Sequence, residues 1–171
     1  MNLPHFTLLL GLIVVACLTY FPHECAHGLA YFYFEIDFDL KLNTIVLQKD
    51  DLSLTQFQKS VIYGSGVGFT FLQGVTGFLL VKKDSSNFGF LLLLSAAVFR
   101  WAAALQGIWT SSDEIQMSIA MGLPTTFWPL LVSLSFLIMV IYTKRKMAVS
   151  NQKLFGVSSL FLLVTYLFSL I

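Results

Sequence analysis

A chain of 171 residues that is 57% hydrophobic and 15% aromatic, with 11% charged residues and a mean hydropathy of +0.80, departs from soluble domains, of which roughly a quarter is charged. Ten Lys and Arg against nine Asp and Glu leave a formal charge of +1, which speaks against disorder and against a nucleic-acid partner. The solvent that suits this composition is a lipid bilayer.

A helix needs about 20 residues to cross about 30 Å of hydrocarbon, and five stretches are long and apolar enough. The expected spans are about 3–34, 60–81, 88–109, 125–142 and 154–171, which makes an all-α membrane protein of a single integral domain, 1–171. The first opens on Met1-Asn2-Leu3-Pro4-His5 without Lys or Arg, so it is expected to stay in the mature protein rather than be removed as a signal peptide. Cys17 and Cys25 lie about 12 Å apart along that helix, too far for a disulfide. Pro22 is expected to bend it. Beyond it, Glu35 to Leu42 alternates polar with apolar residues at the period of a strand, and Asn43-Thr44 is expected to turn it into Ile45-Val46-Leu47. The result is a small β-hairpin at the membrane surface, with an irregular loop as the alternative; a hairpin edge is available to an extended peptide.

Lys82 and Lys83 close the second span, and Lys144, Arg145 and Lys146 close the fourth. With Lys153 they put six basic residues on one side against Lys41, Lys49 and Lys59 on the other, which places the N-terminus in the cytoplasm of a cell whose plasma membrane holds the chain. Gly64, Gly66 and Gly68, then Gly74 and Gly77, give the second span a slim surface for helix packing. Arg100 stands inside the third span, where it pairs with an acidic group or carbonyl near a site, forms a structural buried pair, or snorkels.

The chemistry is concentrated in His23-Glu24-Cys25-Ala26-His27, an H-E-x-x-H motif at the end of the first span. At about 100° per residue the two histidines fall about 40° apart on one helical face, so both imidazoles reach one ion. Zinc lowers the pKa of a water it holds to about 7, and Glu24 is placed to take that proton and pass it to a leaving amine. A five-residue pattern also arises by chance; two imidazoles and a carboxylate in an apolar helix are costly, however, and point to function. One zinc ion per chain is expected.

Two histidines leave zinc short of its usual three protein ligands. Asp113, in Ser111-Ser112-Asp113-Glu114 after the third span, is the expected third, with Glu114 in reserve, because the C-terminal ends of odd-numbered spans meet the same face of the membrane. The same four residues also read as a helix start, with Ser112 as N-cap and acidic residues in the first turn. Tyr20 and Tyr31 flank the histidines by one turn and read as interfacial anchors or as hydrogen-bond donors to the centre.

Over roughly its first 125 residues the chain resembles the site-2 protease family of intramembrane zinc metalloproteases. The likeness lies in the apolar run Leu8 to Val15 leading into His23-Glu24-Cys25-Ala26-His27-Gly28, the glycine-bearing span Tyr63-Gly64-Ser65-Gly66-Val67-Gly68, and the later Asp113 with Gly122-Leu123-Pro124 beyond it. The resemblance implies hydrolysis of peptide bonds in membrane-embedded or membrane-adjacent substrates, with His23, His27 and Asp113 as metal ligands and Glu24 as base. It also implies that Gly66 or Gly68 stands for the family's second-helix glycine, and Thr70 or Gln73 for its substrate-holding group. The competing expectation is a non-catalytic multi-span protein that binds a structural or transported divalent metal.

Overall fold

In the computed structural model the residues described are 5–40, 45–47 and 54–169. They form six helices and two short strands: α1 (His5–Tyr33), β1 (Phe38–Leu40), β2 (Ile45–Leu47), α2 (Gln56–Asp84), α3 (Asn87–Gln106), α4 (Asp113–Ala120), α5 (Phe127–Lys146) and α6 (Asn151–Ser169). Four stretches, Thr7–Tyr33, Gln56–Asp84, Asn87–Gln106 and Phe127–Lys146, are long and apolar enough to cross a membrane. These are the first four expected spans, and the fold fits a membrane protein. The fifth expected span is α6, and residues 170–171 at its end lie outside the described residues. The third span is shorter than expected, because α3 stops at Gln106 and leaves Ile108 and Trp109 exposed.

Helix α1 runs through Pro22 without interruption and ends on backbone geometry that its composition does not advertise. Glu35 takes a left-handed conformation, φ 57°, and its N–H and that of Ile36 donate to the carbonyls of Phe32 and Tyr31, both at 3.0 Å. This is the paired-bond stop usually built on glycine, and Ile36 packs back on the cluster of Ala30, Tyr31 and Ile62. It aims the chain into the expected hairpin, where β1 and β2 pair antiparallel with Phe38 opposite Leu47. The strands are shorter than the alternating segment, and the expected turn at Asn43-Thr44 lies outside the described residues.

Helix α2 starts on a capping box: the Thr55 hydroxyl accepts from the Gln58 N–H at 3.2 Å while the Gln58 side chain accepts from the Thr55 N–H at 2.9 Å. At its other end Ser85 is left-handed, and Ser86 caps α3 through the Gly89 N–H, so the two helices form a tight hairpin. They approach closely at Gly77, where a Cβ would lie 2.6 Å from both the Gly89 carbonyl oxygen and the Leu93 nitrogen. Helix α3 is the centre of the bundle, with Phe90 to Val98 buried in an unbroken run among α1, α2, α5 and α6. The outward faces of α1 and α5, including Leu10, Val14, Leu130, Leu134 and Ile138, remain exposed apolar surface suited to lipid.

Candidate metal centre

The motif stands on the last third of α1, where the helix packs against α2. His23 and His27 are 3% and 7% exposed, one turn apart, and their Nε2 atoms lie 3.2 Å from each other. From the start of α4, Asp113 brings its Oδ2 to 3.1 Å from His23 Nε2 and 3.4 Å from His27 Nε2. These three atoms can hold a metal ion.

Each imidazole is fixed from behind. His27 Nδ1 donates to the Ile62 carbonyl at 2.7 Å, and His23 Nδ1 lies 3.1 Å from the Thr70 hydroxyl. Thr70 spends its own proton on the Gly66 carbonyl at 2.9 Å, so its oxygen is free to accept from His23. Both rings in their neutral form therefore carry the proton on Nδ1 and turn a bare Nε2 lone pair towards Asp113. Two lone pairs and a carboxylate oxygen within 3.4 Å repel one another unless a proton or a metal cation lies among them. Ring nitrogens oriented through their second N–H are the usual support of metal-binding histidines.

Burial alone would raise the Asp113 carboxyl, but its contacts with His23 and His27, which become hydrogen bonds when an Nε2 is protonated, hold it well below the ordinary carboxylate range. It stays an anion, as a metal ligand must. Glu24, His23, His27, Tyr31, Ile62, Tyr63 and Asp113 line one pocket of about 210 Å³. The motif glutamate therefore faces the same space as the ligand atoms.

Position 66 must be glycine for this arrangement. A Cβ there would lie 2.5 Å from His23 Cε1 and 2.6 Å from His27 Cε1, and would collide with His27 Nε2. Gly68, the other glycine singled out by sequence, has nothing within 4 Å of its Cβ position among the described residues. Thr70 lies against a histidine. Gln73, one turn further on, lies apart from the centre in a buried cluster where its Nε2 donates to the Thr19 hydroxyl at 2.7 Å and to Ser95 at 3.1 Å.

Glu114 does not join the histidines; its Oε1 accepts from Arg100 Nη1 at 3.0 Å. That guanidinium also reaches Asp113 Oδ2 at 3.6 Å. Ser112 precedes α4 at the N-cap position, yet its hydroxyl makes no capping bond. Tyr31 lines the pocket, whereas the Tyr20 ring packs edge-on against Phe99 at 4.6 Å. The Ile62 carbonyl was beyond reach of sequence reasoning, because every residue carries that group. No protein-family model, curated protein or solved structure matches the chain.

Proposed function

We propose that the chain is an intramembrane zinc metalloprotease of the site-2 protease type, hydrolysing peptide bonds of membrane-embedded or membrane-adjacent proteins. The observation that carries this reading is the convergence of His23, His27 and Asp113 in a pocket that Glu24 also lines, on a helix apolar enough to span a membrane. A zinc ion held by His23, His27 and Asp113 would supply Lewis-acid polarisation of the scissile carbonyl and would make a nearby water more acidic. Glu24 takes the proton from the attacking water and delivers it to the departing amine nitrogen as the C–N bond breaks. The Thr70 hydroxyl and Ile62 carbonyl keep the imidazoles in place while charge develops.

A helical substrate has its carbonyls engaged in hydrogen bonds and must unwind to present one to the pocket. Between the end of α1 and the start of β1 lies an open groove of about 820 Å³ lined by Leu29, Phe32, Tyr33, Glu35, Ile36, Asp37 and Phe38, which suits an extended apolar segment. The proposal places the N-terminus and the basic loops in the cytoplasm and the centre towards the outside of the plasma membrane. The bond from Lys146 Nζ to the Lys82 carbonyl oxygen supports one part of this, because it joins the ends of α5 and α2 and gathers their basic residues at one end of the bundle.

The test is zinc content and proteolysis in the same detergent-purified protein. Wild type is expected to hold close to one zinc per chain, lost in His23→Ala, His27→Ala and Asp113→Ala and kept in Glu114→Ala. Glu24→Gln should keep the metal and lose hydrolysis of a transmembrane reporter by orders of magnitude. Zinc retained with no hydrolysis by wild type of any membrane-segment substrate would point to a structural or transported ion, and absence of zinc from the wild type would sink the reading altogether.

A further inference from the structure

Arg100 is among the most buried side chains of the molecule, 1% exposed, and so is its partner Glu114, also 1%. A buried ion pair is a poor source of stability, because the desolvation of two charges offsets much of their attraction. This one is not even saturated: among the described residues Arg100 Nε and Glu114 Oε2 have no hydrogen-bond partner. Its placement has a clearer consequence than its energy. The same Nη1 atom lies 3.0 Å from Glu114 Oε1 and 3.6 Å from Asp113 Oδ2, so one guanidinium grips two consecutive residues at the start of α4.

Asp113 needs such a grip more than the histidines do. It stands at the first position of an eight-residue helix, after a non-helical connection from α3, and Ser112 provides no side-chain cap to fix that start. Neighbouring helix positions point about 100° apart. Holding Glu114 against α3 therefore turns Asp113 towards α1, which is where the histidines are. The guanidinium is itself immobilised, its Cζ 4.4 Å from the centre of the Phe99 ring, while that ring packs edge-on against His23 at 5.2 Å. Arg100 is not among the residues that line the pocket, and its side chain is closed off from solvent.

We propose that Arg100 is the positioning residue of the metal centre: by pairing with Glu114 and reaching Asp113 it delivers the third ligand to His23 and His27. This rests on the metal-binding part of the proposed function, and it assigns Glu114 to support of the centre.

The test uses the full chain in detergent and the double variant R100M/E114M, which removes both charges, leaves the net balance unchanged and replaces them with unbranched apolar side chains. Buried pairs exchanged in this way are often neutral or better for stability. The variant is expected to remain monodisperse with a thermal midpoint near that of wild type, while zinc binding, measured by competition with a chelator, weakens at least tenfold, the scale of lost outer support. Excess zinc should restore full loading, which it would not do for a misfolded chain. Affinity within twofold of wild type in the folded variant overturns the proposal and leaves the metal site standing; wild type without affinity for zinc overturns both. Should the double variant not fold, R100K decides: a shorter point charge cannot serve both carboxylates, so a loss of threefold or more is expected, and unchanged affinity overturns the assignment.

Discussion

Replacing Gly66 with alanine perturbs the centre without touching any ligand atom, and the size of the effect follows from the contacts. The new methyl would meet His23 Cε1 at 2.5 Å and His27 Cε1 at 2.6 Å, against about 3.5–4.0 Å for carbons in ordinary contact. Relief of an overlap of about 1 Å on two rings requires that the rings turn or that α2 retreat from α1. Turning the rings breaks the 3.1 Å contact to Thr70 and the 2.7 Å bond to the Ile62 carbonyl, and retreat of α2 carries both partners away. Either way the Nε2 atoms lose their shared aim, and misdirected imidazoles cost about 10- to 100-fold in metal affinity. Overpacking costs about 1–3 kcal/mol, of which the better helix propensity of alanine returns up to about 1. Gly66→Ala should therefore fold with a modestly lowered thermal midpoint and bind zinc at least tenfold more weakly, measured by chelator competition in detergent. Gly68→Ala is the matched control, because nothing lies within 4 Å of its Cβ and only the propensity gain remains. Wild-type zinc affinity in Gly66→Ala, or equal losses in both variants, would refute the packing of α2 on the imidazoles.

Thr70→Val keeps the shape of the side chain and removes the acceptor for His23 Nδ1; zinc affinity should fall about tenfold, with Thr70→Ser near wild type in the same titration. Zinc affinity should also fall with pH, since protons compete for the two Nε2 lone pairs. Log K, followed by chelator competition, should drop as the pH is lowered below about 6.5, with a slope of about one per pH unit as the first imidazole is protonated, steepening further down as the second follows. A slope near zero through that range would argue against imidazole ligation. Gly77→Ala forces a methyl within 2.6 Å of backbone atoms of both Gly89 and Leu93, which cannot rotate away; a loss of about 1–3 kcal/mol, read as a lower thermal midpoint, is expected with zinc affinity unchanged in the folded fraction.

What the sequence made legible separates from what it did not along one physical line. Periodicity within an element is local: residues four apart share a helical face whatever the helix packs against, so the pairing of His23 with His27 could be read directly, as could the long apolar runs of α1, α2, α3 and α5. Asp113 was legible through connectivity alone, because it follows a span that ends on the same side as α1. Its choice over Glu114 was not, because it depends on how α4 is rotated, and Arg100 on a different helix bears on that. The stop of α1 was hidden for a related reason. Glutamate is an unusual residue for the left-handed position at φ 57°, and the bonds from Glu35 and Ile36 back to Phe32 and Tyr31 are made by backbone that any sequence carries.

The three glycines of α2 show the same divide at the scale of single residues. Gly64, Gly66 and Gly68 look interchangeable in sequence, each a small residue in a packing stripe. Two residues along a helix turn it by about 200°, so the stripe cannot present all of them to one neighbour. In the fold a Cβ on Gly64 would meet Met117 Sδ of α4 at 3.0 Å, one on Gly66 would strike both histidines of α1, and one on Gly68 would meet nothing. The space that the absent side chains leave is used differently at each: Gly64 admits the helix that carries Asp113, and Gly66 admits the imidazoles that face it. An alanine at Gly64 therefore presses on a flexible thioether and should move Asp113 little, whereas the same change two residues later presses on rigid ligands held from behind. The cost of substitution at this stripe is set by what each position faces, and a graded response, mild at Gly64, large at Gly66 and absent at Gly68, is the signature of a metal centre built against α2 rather than of a helix contact that happens to contain histidines.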